Sequence, residues 1–196
     1  MKSRKYYYDY DFYNMKSDQN LTIISNFKTL QDNLDSGCGP ASILMCMNYF
    51  DDYRYTEKEI YDKVNCTCNK GTEIADMVNF LKLNNYSIET NVNNIKKIET
   101  MEEFRNFCIN NLSKGYPIIV ESVYFGGHYQ VIIGYDKYDD FHNDMIIFAD
   151  SSDTTDGKKD GYVYFNAWIF YSMWFDAKYL KLENRNQPYI VIKGKL

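Results

Sequence analysis

The chain has five cysteines and two histidines, and one of each stands in a setting that could do chemistry. Cys38 lies in DSGCGPASILMCMNYF, flanked by Gly37 and Gly39 and followed by Pro40 and an apolar run. At a helix start the first amide N–H groups lack carbonyl partners and the helix dipole favours an anion, so a thiolate there is stabilised. The flanking glycines leave room for a substrate carbonyl, and the Cys38 N–H is placed to bind an oxyanion. Packing offers the competing explanation, because small cysteines at tight turns are commonly buried and inert.

A thiol nucleophile needs a general base, and a third group usually orients that base. His128, in FGGHYQVIIGYD, follows Gly126 and Gly127 at the head of a β-rich run, where glycines permit close approach. His142, in YDDFHNDM, reads as a solvated turn residue. Asp150 ends the run MIIFAD. A turn centred near residue 140 is about equally far from positions 128 and 150, so a hairpin brings Asp150 beside His128. Its carboxylate would then accept the Nδ1–H and hold the tautomer. Alternatively, Asp150 only terminates its strand. The ordered set Cys38, His128 and Asp150 tips the reading of Cys38 from packing to nucleophile.

The other cysteines carry less. Cys46 and Cys108 fall in apolar helical runs and read as core. Cys66 and Cys68 form a C-x-C in a polar loop, and a zinc site there would need further ligands that the sequence does not supply. No metal and no organic cofactor is expected. Tyr124, Phe125 and Tyr129 flank His128 and could line a cleft, although aromatics on strands are more often core.

The elements that must position these groups follow from periodicity. A helix starts near Cys38, capped by Asp35 or Ser36, with Ile43, Leu44, Met47 and Phe50 as its buried stripe. YTEKEIYDKV is a second helix capped by Thr56, and GTEIADMVNFLKLNNY a third, with Ile74, Met77, Val78, Phe80 and Leu81 on its apolar face. TMEEFRNFCINNLSKG is a fourth, with a Thr100–Glu103 capping box and Gly115 at its end. YPIIVESVYF, GHYQVIIGYDKY and DMIIFADSS are short β-rich runs separated by turn residues. GYVYFNAWIFYSMWF begins as a strand and continues as a helix, and PYIVIKG is a late strand. LTIISNFKTL adds a strand or a short helix to an N-terminal extension, residues 1–30. Helices first and an antiparallel sheet second indicate an α+β fold of two lobes, with a cleft between them as the natural site.

Composition bounds the partners. A chain of 196 residues can bury a sizeable core, and 45% hydrophobic with 25% charged residues is ordinary for a globular protein. A net charge of −5 argues against nucleic acid and anionic membranes as partners. No run reaches the ~18 apolar residues of a membrane span, and the N-terminus lacks the apolar core of a signal peptide. An odd number of cysteines fits a reducing compartment, so a cytoplasmic location is expected.

Three stretches, CGPAS opening a helix, then GGHYQVIIGYD, then IIFADSS, resemble the bacteriocin-processing peptidases, which cleave after double-glycine leaders, and their stand-alone relatives in the papain superfamily. The resemblance covers about residues 31–176. It implies a papain-like two-lobe fold over residues 31–196, with a helical lobe carrying the nucleophile helix packed on an antiparallel sheet lobe. It also implies Cys38 as nucleophile, His128 as base, Asp150 as orienting carboxylate, and a peptide or protein substrate. The family's glutamine, a side-chain oxyanion donor, maps nearest to Gln31, seven positions before Cys38 and one more than the family's pattern. Asp32 would hold the expected place, where a carboxylate would repel an oxyanion. Either the loop carries one extra residue and Gln31 still reaches in, or the oxyanion hole is altered, with Asn33 as a substitute donor. Many leader peptidases are the first domain of a membrane transporter. This chain shows no membrane span or ATP-binding motif, so the resemblance carries the chemistry further than the substrate. The expected activity is cleavage of a peptide or amide bond, or acyl transfer to an amine, through a thioester. The alternative is a silent relative that binds a peptide or protein partner in the same cleft.

Overall fold

A computed structural model describes residues 20–32, 34–92, 97–153, 158, 160–176 and 186–196, without the Phe125 side chain. Residues 1–19 and Asn33 lie outside them. The described residues fold as expected into an α+β architecture, with five α-helices and an antiparallel seven-stranded sheet among them.

The helical part comes mainly first. Helix α1 (Cys38–Tyr49) starts after Gly37, which has no side chain to cap it. Ser36 does not cap α1; its hydroxyl donates to the Cys68 carbonyl at 3.0 Å. The burial of α1 also differs from a single stripe. Ile43, Met45, Cys46 and Met47 are all fully buried, while Leu44 and Phe50 are half-buried. A helix apolar on all sides is a central helix, which a search for one-sided periodicity misreads. Helices α2 (Glu57–Lys63) and α4 (Met101–Leu112) open on complete capping boxes, Thr56 with Glu59 and Thr100 with Glu103. Helix α3 (Ile74–Leu83) buries Met77, Val78, Phe80 and Leu81 and leaves Ile74 half-buried.

The sheet runs β2 (Tyr86–Thr90), β7 (Tyr189–Lys195), β3 (Ile118–Ser122), β4 (His128–Lys137), β5 (Met145–Ala149), β6 (Tyr162–Asn166). Strand β1 (Asn20–Ile23) pairs β4 at Gly134–Lys137, on from the stretch His128–Ile132 that pairs β3. Ile24 and Phe27 are buried at 2% and 1% exposure, so residues 20–27 are built into the sheet and core. Strand β2 was not anticipated, because YSIET offers too little alternation to stand out. The run after β6 turns into helix α5 (Ala167–Met173), with Asn166 capping it through Ile169 N at 2.9 Å. Its two tryptophans separate: Trp174 is buried with Nε1 donating to the Pro188 carbonyl at 2.9 Å, and Trp168 is exposed against Phe141 and His142. Among the described residues no helix is long and apolar enough to cross a membrane.

One buried polar knot fixes the β4–β5 hairpin to the helices. Asp144, fully buried, accepts from Arg105 Nε at 2.7 Å and Nη2 at 2.9 Å, from the Tyr135 hydroxyl at 2.6 Å and from Tyr138 N at 2.8 Å. Its carbonyl accepts Ala167 N at 2.8 Å, which ties the same turn to α5. Removing one member of a buried ion pair strands the other charge. Asp144→Ala is therefore expected to cost about 3–5 kcal/mol of stability in urea denaturation, more than the ~1.5–3 kcal/mol expected of Tyr135→Phe, which removes a single hydroxyl donor to the charged carboxylate.

Candidate active site

Cys38 is the first residue of α1 and is partly exposed. The first helical bond of the turn runs from Ala41 N to the Gly37 carbonyl at 2.9 Å. The amides of Cys38 and Gly39 thus precede the hydrogen-bonded ladder, and Pro40 has no N–H to contribute. The flanking glycines answer to packing rather than to substrate access. A Cβ on Gly37 would lie 2.8 Å from the Leu34 carbonyl oxygen and 2.9 Å from Glu57 Oε1. On Gly39 it would lie 3.1 Å from Thr72 Cβ. The helix start is wedged between neighbours that leave no space for a side chain at position 37 and little at position 39.

His128 opens β4 and is 3% exposed. Its Nε2 lies 2.8 Å from Asp150 Oδ1, and its ring is also within hydrogen-bonding reach of the Cys38 side chain. The three groups expected to work together do meet. The ring is turned the other way from the expected arrangement, however: Asp150 holds Nε2, not Nδ1. The cause is register. Val131 pairs with Ala149, so Asp150 comes level with Gln130 and reaches the far tip of the His128 ring. Nδ1 is left as the nitrogen for the thiol.

The electrostatics follow from these contacts. Burial by itself would push His128 down, but the hydrogen bonds to Asp150 and Cys38, together with their negative charge, outweigh it and hold the imidazole up at about 10. Burial would likewise raise Asp150. The bond to His128 and its charge, the Ser152 amide at 2.9 Å and the Gln130 amide at 2.8 Å outweigh it and keep the carboxyl below its ordinary value.

Gln31 is brought to the main chain of Asp150. Its Nε2 donates to the Asp150 main-chain carbonyl at 3.3 Å, and it borders a separate hollow with Leu34, Leu44 and Glu57. Asp32 is bound at the same strand exit. Its N donates to the Ser151 carbonyl at 3.0 Å, and its Oδ2 accepts the Ser152 hydroxyl at 2.6 Å. Its Oδ2 is therefore engaged by serine hydroxyls of the turn after β5.

Cys38 borders a cleft of about 360 Å³ that includes Thr72, Glu121, Gly127, Tyr129 and Asp176. Tyr129 is a 4% exposed wall whose hydroxyl donates to the Thr72 carbonyl at 3.0 Å, and Tyr124 is 40% exposed. Gly126 takes φ +84° with open space where a Cβ would stand, so at this position glycine serves the backbone turn. His142 is on the surface, its Nδ1 2.7 Å from Asp140 Oδ1, as a turn residue should be. Cys46 and Cys108 are fully buried, and burial pushes both thiols up. Cys66 proves buried rather than lying open in its loop, with Sγ donating to the Ser36 carbonyl at 3.3 Å; Cys68 alone of the pair is exposed. Sequence reasoning passed over Gln130 and Ser152. For Gln130 the signal was present: two residues beyond His128 on a strand is the same face.

Comparisons with known proteins bear on the fold. The peptidase domain of Streptococcus ComA, a bi-functional ABC transporter of a quorum-sensing pathway, superposes with a TM-score of 0.59 at 16% identity, over 87% of this chain and 100% of that one. A double glycine motif protease from an AMS/PCAT transporter, in complex with its leader peptide, gives 0.55 at 10% identity, over 88% and 98%. UfSP from C. elegans gives 0.55 at 15%, over 93% of this chain and 35% of that one. At such identities the likeness is one of fold. No curated protein sequence matches the chain significantly. The profile of the Peptidase_C39 like family matches residues 9–180, and the chain, with its papain-like cysteine peptidase fold, belongs to that family.

Proposed function

We propose that the protein is a cysteine peptidase, or a related acyl-transfer enzyme, acting through Cys38, His128 and Asp150. The observation that carries this reading is the buried His128 ring, held on one side by Asp150 and on the other by the Cys38 side chain. Cys38 sulfur attacks the substrate carbonyl carbon, and the C–S bond forms as the carbonyl electrons move to oxygen. Collapse expels the amine, which takes its proton from the His128 imidazolium, and leaves a thioester. Water, or an amine acceptor, then attacks the thioester and gives its proton to His128, and the thiolate leaves. The Cys38 N–H is the first donor to the oxyanion. Gln31, whose amide carries two N–H groups, is the second donor, one of them bonding the Asp150 carbonyl at 3.3 Å. The ComA and AMS/PCAT likenesses support a peptide as substrate. The five free thiols fit work in a reducing cytoplasm.

The shifted spacing of Gln31, seven positions before Cys38, favours a second reading, a silent relative that binds a peptide in the cleft. Peptide affinity kept in Cys38→Ala, with no turnover in the parent protein, would establish it.

Two measurements test the enzymatic reading. With limiting iodoacetamide near pH 6, Cys38 is expected to be alkylated before the more exposed Cys68, and His128→Ala to abolish that preference. In a peptide-library assay Cys38→Ala should lose turnover altogether and His128→Ala should lose about 10²–10⁴-fold. Intact mass should reveal the thioester, and competition between water and added amines separates hydrolysis from transfer. If Cys68 reacts as fast as Cys38, the activated thiol is refuted.

The second measurement uses pH. The folded His128 value of about 10 lies above the unfolded ~6.5. Its contribution to stability is thus fully present below ~6.5 and is lost as pH rises through about 10. The stability gap between the parent and His128→Gln is expected to narrow over that window. In His142→Gln the one remaining imidazole should stay protonated at pH 8 by NMR, and in Asp150→Asn it should titrate lower.

A further inference from the structure

We infer that Gln130 is a positioning residue for the Cys38–His128 pair, acting through Asp150; this rests on the catalytic reading above. Asp150 is 3% exposed, so each carboxylate oxygen must find its donors within the protein. Oδ1 has two, His128 Nε2 at 2.8 Å and Ser152 N at 2.9 Å. Oδ2 has one among the described residues, Gln130 Nε2 at 2.8 Å. Behind it lies a cavity of about 30 Å³ walled by Phe148, Val163, Phe165 and Phe170, with Tyr124 and the Ser122 hydroxyl, which is buried and makes no hydrogen bond among the described residues, also on its lining.

The placement is specific to this strand. His128 and Gln130 are two residues apart on β4, so their side chains leave the same face. Gln130 stands level with Asp150, one step beyond the Val131–Ala149 pair, while His128 meets the same carboxylate on the diagonal. A carboxylate held at both oxygens has its plane fixed, and a fixed plane sets the direction of the Nε2 bond and so the direction in which Nδ1 faces the thiol. Held at Oδ1 alone, it can rotate or bring both oxygens onto the imidazole. Glutamine is suited to the task because it offers an N–H at every pH and brings no charge beside Asp150. The ionisable groups around this carboxylate are His128 on β4, Cys38 on α1 behind it, Asp32 across the Ser152 hydroxyl, Asp153 on the same turn, and Tyr124 at the cavity.

The near-isosteric Gln130→Glu is the discriminating variant. As a neutral acid it can donate an O–H to Oδ2 as the amide does; ionised, it repels Asp150. The rate of Cys38 alkylation by iodoacetamide between pH 5 and 9 reads the pair without any substrate. Gln130→Glu is expected to match the parent near pH 5 and to fall at least tenfold as the new carboxyl ionises, reversibly on return to pH 5. Gln130→Leu is expected to be slow throughout, with kcat on a cleaved peptide down about 10–100-fold and KM changed by less than about twofold. If Gln130→Leu does not fold, the reversible pH response of Gln130→Glu decides alone. A parental alkylation profile in Gln130→Glu overturns the inference. If the parent cleaves no peptide, the catalytic reading fails on its own, while the alkylation profiles still report whether Gln130 governs the Cys38–His128 pair.

Discussion

The site depends on one buried anion. Asp150 sits at the exit of β5 with almost no access to water, and a carboxylate there is tolerable only because His128, Ser152 and Gln130 all donate to it. These donors come from one strand, β4, and the turn after β5, so satisfying the carboxylate aligns β4, β5 and the loop that follows. Gln31 and Asp32 add bonds from the segment before α1 to the same strand exit. Local electrostatic need and the gross joining of the chain's two halves are met by the same few atoms.

Strand β4 is the beam on which this is built. It pairs with β1 and β3 along one edge and β5 along the other, and both α1 and α4 pack on it. A strand so constrained cannot slip by one residue without moving every buried group to the wrong face. The hairpin's far end is secured by the Asp144–Arg105–Tyr135 knot, a second buried carboxylate satisfied in the same manner. The bulge between Ile132 and Gly134 takes up the residue by which the two arms differ, so that position 149 meets position 131.

Much of this was legible in the sequence because the signals were local. Capping boxes at Thr56 and Thr100, strand runs bounded by turn residues, and the order of Cys38, His128 and Asp150 are each read within a few residues. What failed needed information from elsewhere in the chain. The all-round burial of α1 depends on what surrounds it, and strand β2 is stabilised by pairing with β7 a hundred residues later. The choice of Nε2 over Nδ1 turns on a register that a bulge shifts by one. Gln130 lay in plain view in HYQ, but its role becomes visible only when Asp150 is set level with it.

The glycines beside Cys38 show why packing and reactivity were false alternatives. Gly37 and Gly39 are there because Leu34, Glu57 and Thr72 press against the helix start, and this crowding is an ordinary matter of core packing. The same crowding fixes where α1 begins. A helix that starts one residue later would place the cysteine in the preceding turn, and one residue earlier would carry it into the ladder. Tight packing on either side therefore sets Sγ at the end of the helix, next to the amides of its first turn and within reach of His128. The cysteine is held in position by a well-packed core and is chemically addressable because that core stops at its sulfur.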